Sequence, residues 1–460
     1  MIRLLLSAIA LLCFISLTSC GNDECDTSTW YEDADGDGLG NPDVSQDACD
    51  QPDGYVANAD DTDDTGSSGG SSECDTPGEA EQSTNTEIEA LRQAMLTFRN
   101  SLSGSLLDEA SVCLDDERVY QWHNTPNAGG TERDGIIYSD LTDEQLNNFK
   151  ALMQAFLSDE GYQKVDEITF LAEAFLSDQN ASVWHPDFYS IDLFGDPVNT
   201  GSWGFQLDGH HCAINFLVHA DNVSIVPAFL GGEPAKETYN GTDYDIFKDE
   251  RDLALSLYNA LTTDELSSAV SSGNRTMQVG PSSRNGNPDN YRGNYDYSGF
   301  ETGLKYSDMS AATQANLLLV MQEYVYNLEK TFADEWWAGV MDNIDETYFV
   351  WIDDVETPTA TTQFYYRIYN PYLWVEYNAE DVVGGSIDSW NHIHTITRIP
   401  DNPATDNGGD YGIFAEMVNG TGPKTLYEHY AMADHHKTSQ LLFDYKVDMP
   451  HSHSGHSHGH

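Results

Sequence analysis

The spacing of apolar residues changes period along the chain, and this restricts the fold more than any other feature. Thr86 to Leu102 places Ile88, Leu91, Met95 and Phe98 on one helical face, with Glu87 and Glu89 in the first turn. Further helices are predicted from Asp140 to about Leu157 and from Lys164 to Leu176. Period two then takes over. Trp203–Leu207, Ala213–Val218 and Val223–Val226 read as strands, with Ala220-Asp221-Asn222 as a turn. Helices return at Asp249–Leu261, Thr263–Val270 and Ala311–Phe332, and strands at Tyr348–Ile352, Gln363–Tyr369, Leu373–Tyr377 and His392–Arg398. Blocks of helices and strands without βαβ alternation predict an α+β body, its helical N-terminal half packed with a mostly antiparallel β-sheet. The phrases Leu141-Thr142-Asp143-Glu144-Gln145 and Leu261-Thr262-Thr263-Asp264-Glu265 reflect shared helix-capping chemistry, not a repeat.

Met1 to Cys20 has one early charge, Arg3, an apolar run too short for a stable span, and then Leu17-Thr18-Ser19-Cys20. This predicts a signal peptide. Its last four residues match the bacterial lipobox, in which the cysteine, here Cys20, is lipidated. Acids at Asp23, Glu24 and Asp26 look like an acidic export signal for lipoproteins. The expected location is the bacterial envelope, held by a lipid anchor, with the outer membrane favoured and either leaflet open. More than one acyl chain would hold the protein firmly, at about 0.8 kcal/mol per buried methylene.

Charge narrows the partners. The 460 residues carry 20 Lys+Arg against 77 Asp+Glu, a net charge of -57. Phosphate backbones need clustered Lys and Arg, so nucleic acid is excluded as an expected partner. About a third of the excess acid lies between Gly21 and Gln82, where no Lys or Arg occurs. Asp33, Asp35 and Asp37 alternate before Gly38, and Asp60, Asp61 and Asp63 form a second cluster. Carboxylates so spaced can converge on one hard cation, which predicts calcium. The twelfth loop position counted from Asp33 is Val44, so the closing glutamate of an EF-hand is missing.

Trp30 to Asp64 instead resembles a short secreted metal-binding repeat, related in style to thrombospondin type 3 repeats. It departs from that pattern at Thr62, where the repeat usually has cysteine. Cys25 is then the nearest candidate partner for Cys49 in a disulfide. Cys113 and Cys212 either pair or remain buried thiols. The expected organisation is a signal peptide over 1–20, the acidic repeat over 21–65, a Gly/Ser-rich linker over 66–85, a globular body over 86–446 and a flexible tail over 447–460.

Two histidine-rich phrases carry the chemistry of the body. His392 and His394 share one face of a predicted strand, since the side-chain period is two. His210 and His211 would point to opposite faces of a continuing strand, so one of them is expected to join the site. Glu376 lies on a preceding strand, and Asp410 follows. Two or three imidazoles with a carboxylate and an open position suit zinc, copper or non-haem iron. A nearby carboxylate can act as general base on an activated water. The plainer alternative is a Gly-His-His turn that only hydrogen-bonds loop carbonyls. Arg367 and Arg398 either clamp a carboxylate or phosphate on a substrate or pair with surrounding acids. In the tail, His451, His453, His456, His458 and His460 alternate with Ser and Gly, a composition that binds zinc, copper or nickel loosely. No phosphate loop, GxSxG or HExxH occurs.

The body also resembles a bacterial family named domain of unknown function 3500. The phrases that carry the resemblance are Trp203–Phe216, Val226–Ala235, Gln363–Ile368, Trp374–Tyr377, Asn391–Pro400, Asp410–Gly412 and Leu426–His436. They are long and ordered along nearly all of residues 86–446. The resemblance brings no activity with it, only position: the chemically able residues centre on His210, His211, Arg367, Glu376, His392, His394, Arg398 and Asp410. An insertion from Asn402 to Gly409, a departure from the family's pattern, separates Asp410 from Pro400. The function expected is a lipoprotein with a metal-dependent hydrolase body acting on a small molecule. The alternatives are a non-catalytic copper, zinc or ligand binder and a calcium-stiffened surface protein.

Overall fold

A computed structural model describes residues 27–32, 40–42, 44–49, 51–52, 54–59, 80–114, 116–120, 124–126, 135–277, 299–353, 355, 357–380 and 388–400. The chain divides into two compact units, Met1–Ser71 and Ser72–His460. In the first, strands β1 (Ser28–Glu32), β2 (Ser45–Ala48) and β3 (Tyr55–Val56) form a small antiparallel sheet in the order β2-β1-β3. Cys49, just after β2, is disulfide-bonded. Cys20, Cys25 and the six aspartates of the acidic clusters lie outside the described residues.

The second unit opens earlier than the expected boundary at 86. The Ala80 carbonyl accepts from the Gly201 amide at 2.7 Å, and the Ala80 amide donates to Ser202 Oγ at 2.7 Å. Helices α1 (Thr86–Arg99) and α2 (Gly104–Ala110) follow, with short strands β4 (Ser111–Val112) and β5 (Ile136–Ile137). Next come α3 (Asp143–Phe156), α4 (Asp159–Asp166), a π-helical stretch (Glu167–Ala172) and α5 (Glu173–Asn180). Strands β6 (Ser190–Gly195), β7 (Ser202–Gly209), β8 (Cys212–His219), β9 (Asn222–Ser224), β10 (Ala228–Gly232), β11 (Lys236–Tyr239) and β12 (Thr242–Asp245) precede α6 (Lys248–Ala260) and α7 (Thr263–Ala269). The remainder is β13 (Leu304–Lys305), α8 (Ala311–Val325), α9 (Lys330–Asp342), β14 (Tyr348–Asp353), β15 (Phe364–Asn370), β16 (Leu373–Ala379) and β17 (Ile393–Arg398).

The fold is α+β. One large, mostly antiparallel sheet runs in the order β13-β14-β15-β16-β17-β10-β8-β7-β6-β4, with β5 and β9 as side branches. The parallel exception is β4 on β6. Thr142 with Gln145, and Thr262 with Glu265, each close a capping box at a helix start. The helix expected over Ala311–Phe332 is two helices instead. The chain between them pairs with other backbone: the Asn327 carbonyl accepts from Ser158, and Leu157 bridges Leu328. The Glu329 side chain then caps α9.

Strand alternation gives the sheet two different faces. Trp203, Phe205, Leu207, Ile214, Phe216, Tyr366, Tyr377 and Ile393 share a buried apolar cluster with helix residues such as Met95, Phe98, Phe149, Phe156, Leu317 and Val320. The opposite face has a smaller apolar patch, including Phe194, Leu217, Phe229, Trp374 and Ile396. The register sets buried polar residues beside it. Arg367 opposes Glu376, Asn378 opposes His394, Trp374 opposes Arg398, and Asp192, Gln206 and Asn215 align across β6, β7 and β8. A face that buries this many polar groups needs partners for them, and the histidines lie at its edge. Among the described residues no helix is long and apolar enough to cross a membrane.

Candidate metal centre

The β7–β8 hairpin pairs Gly209 with Cys212, which leaves His210 and His211 as its turn. The strand therefore does not continue through them, so the condition for opposite faces is not met; His211 is the one that groups with His392 and His394. Both rings are buried and stacked, with centroids 3.8 Å apart. His211 has φ of +62°, a left-handed conformation uncommon for a residue with a side chain. Its amide donates to the Asn124 carbonyl, and its carbonyl accepts from the Gly231 amide at 2.7 Å. Tyr189 fixes the other turn residue by donating its hydroxyl to the His210 carbonyl at 2.6 Å.

His392 and His394 come from the far end of the sequence. His394 lies on β17 opposite Gly231 of β10, and His392 immediately precedes that strand. Asn391 ties the approach to β11: its Oδ1 accepts from the Lys236 amide, and its Nδ2 donates to the Lys236 carbonyl. Gly231 is required here. A Cβ at that position would lie 2.9 Å from His394 Cδ2 and 3.1 Å from His211 Cδ2.

Three imidazoles meet as a result. Nε2 of His392 is 3.2 Å from Nε2 of His211 and 3.0 Å from Nε2 of His394. One ligand atom from each of the three lies within 4.8 Å of the others. An ion about 2.0–2.1 Å from each nitrogen in tetrahedral geometry would set neighbouring nitrogens roughly 3.3 Å apart, close to what is seen. Burial first, and then the neighbouring imidazoles, hold His211 well below the usual histidine range, so it is neutral. Neutral imidazole is the ligand form.

Carboxylates surround the cluster, and Glu376 is not among them. Glu380 Oε1 lies 3.3 Å from His394 Nδ1. Burial opposes ionisation of Glu380, but the hydrogen bond and charge of His394 outweigh it and leave the carboxyl below its ordinary range. Glu173, where the π-helical stretch passes into α5, meets His210 Nδ1 at 2.7 Å, both nearly fully buried. Carboxylates on the far nitrogen of a ligating imidazole fix its tautomer and orientation. Glu233 Oε2 is 4.0 Å from His392 Nε2, and Glu233 also groups with His210 and His211 as a second set able to hold a metal. Burial pushes the Glu233 carboxyl up, against the pull of His210 and His394.

Glu376, Arg367 and Arg398 lie apart from this cluster. Glu376 is fully buried and accepts from Tyr365 Oη at 2.6 Å and Trp374 Nε1 at 3.2 Å. Arg367 is its cross-strand neighbour, and Arg398 is buried opposite Trp374 on β17. Asp410 and the five tail histidines lie outside the described residues. Cys113 is disulfide-bonded, whereas Cys212 is a free buried thiol whose pKa burial pushes far up; the two do not pair. Glu233 did leave a trace in the sequence, since Gly231-Gly232-Glu233-Pro234 lies within one of the phrases singled out above. Glu173 and Glu380 left none, because their roles depend on tertiary placement.

No curated protein and no solved structure matches the chain. The family described as Protein of unknown function (DUF3500) matches residues 84–412, ending short of the expected 446. With well over half of its length matched, the chain belongs to the DUF3500 family.

Proposed function

We propose that the body is a metal-dependent hydrolase of a small molecule, with one zinc-class ion on His211, His392 and His394. The observation that carries this is the convergence of three Nε2 atoms from the β7–β8 turn and the start of β17, with spacings of 3.2 and 3.0 Å. Glu380 orients His394, and Glu173 orients His210. A bound ion supplies Lewis acidity to a water or to a substrate carbonyl. Glu233, partly buried and 4.0 Å from His392, is placed to accept a proton at Oε2. Three imidazoles are the ligand set of catalytic zinc sites, in which water or substrate takes the fourth position, and this favours hydrolysis over storage.

The same proposal puts the protein in the bacterial envelope, lipidated at Cys20, with calcium on the acidic repeat. Elemental analysis of dialysed full-length protein tests the metal reading. One equivalent of a transition metal is expected, lost in His392→Ala. A variant that keeps its equivalent, or a wild type that holds none after loading, would overturn it. Hydrolysis of ester and amide substrates by the loaded protein, absent in Glu233→Gln, separates the enzyme from a passive metal binder.

A further inference from the structure

On the same sheet face as His394, β15 borders a cavity of about 650 Å³ that none of the four body histidines lines. This size is typical of small-molecule sites. Arg367 is the charged residue among its described lining, and it is only 7% exposed. In a chain with 20 basic and 77 acidic residues, an oxyanion needs a local cation to be held against the surrounding field.

Arg367 is fixed in place. Its guanidinium carbon lies 4.8 Å from the Phe300 ring centroid and 5.5 Å from that of Trp374. Nη2 donates to Thr302 Oγ1 at 3.0 Å and to the Phe300 carbonyl at 3.5 Å. Both bonds leave from Nη2, and Tyr365 and the Glu376 carboxylate also interact with the guanidinium; the residue still lines the cavity, where a planar fork can donate to an oxyanion. Around it, Ser268, Ser271, Asn274, Thr276 and Thr302 present hydroxyl and amide groups, while Val350 and Ile352 form an apolar wall. Such a lining suits a ring with hydroxyls on its rim, an apolar face and one negative group.

We infer that this cavity binds a small polyhydroxylated molecule carrying an oxyanion, a sugar acid or sugar phosphate, with the oxyanion on Arg367. The site is independent of the metal centre, and the test uses protein dialysed against chelator. Calorimetry of the full chain compares D-glucuronate, D-glucose and inorganic phosphate. Glucuronate should bind, glucose should bind about tenfold more weakly or worse, and phosphate should compete with glucuronate. Arg367→Gln should weaken glucuronate by about tenfold or more, measured on protein whose thermal melt shows that it is folded. Ser271→Trp, at an exposed lining position, should block binding by filling the cavity, and it serves if Arg367→Gln does not fold. Equal affinity for glucose and glucuronate, no heat from glucuronate at about 10 mM, or full binding in Ser271→Trp would overturn the inference.

Discussion

His211 and His392 are 181 residues apart in the chain, yet their Nε2 atoms lie 3.2 Å apart. The register of β10 between β8 and β17 brings them together: Leu230 opposes Cys212 on one side, and Gly231 opposes His394 on the other. A hairpin turn and a strand start that are remote in sequence become neighbours because one short strand joins them.

Glu380 acts on the centre through His394. Replacing Glu380 with Gln keeps the volume and removes the charge that fixes the imidazole. Zinc affinity should fall by about 10–100-fold, the usual cost of losing such a partner. Chelator-competition titration checks this, and the melting temperature of the metal-free protein should barely move.

Gly231 leaves no room for a side chain. In Gly231→Ala the new methyl would lie 2.9 Å from both His394 Cδ2 and the Ile393 carbonyl. The ring has to turn away or β10 has to shift. A destabilisation of about 1–3 kcal/mol is expected, together with loss of the metal equivalent. Denaturant melts and metal analysis on the same sample report the two effects separately.

Acid should weaken the helical layer at one identifiable carboxylate. Burial raises the Glu265 pKa, but backbone amides of Ser310 and Thr262 and the Thr313 hydroxyl outweigh it and bring it from 4.5 to about 2. A depressed carboxyl contributes stability above its unfolded pKa, and that contribution is lost as pH falls from about 4.5 toward about 2. Allowing for solvent screening, it is worth about 1–2 kcal/mol. Glu265→Ala should therefore flatten the stability profile across that window and lower stability at neutral pH by a similar amount. Urea melts at stepped pH measure both.

The sequence made some of this legible. Alternation across Trp203–Leu207 and Ala213–Val218 marked β7 and β8, and the His-x-His spacing put His394 where it stands. The facing of His211 was not legible, because a tight turn interrupts the strand period at that residue and nothing local announces it. Glu376 drew notice as a carboxylate on the strand before the histidines, yet Tyr365 and Trp374 engage it inside the sheet. The carboxylates that do reach the imidazoles come from a helix start, a loop after β10 and the end of β16, positions set by packing across the whole body. The break after Val325 was hidden for the same reason: the residues there remain compatible with a helix, and pairing with the backbone at Leu157 and Ser158 overrides them.

X-ray absorption at the zinc edge reads the three-histidine site itself, on full-length protein given one equivalent of zinc and dialysed against a weak chelator. Zinc on His211, His392 and His394 should show nearest neighbours of nitrogen and oxygen at about 2.0–2.1 Å with the scattering of three imidazoles. That signal should be absent from the His392→Ala, His394→Ala double variant treated the same way. Zinc retained equally by the double variant, or a wild-type shell without imidazole, would contradict it.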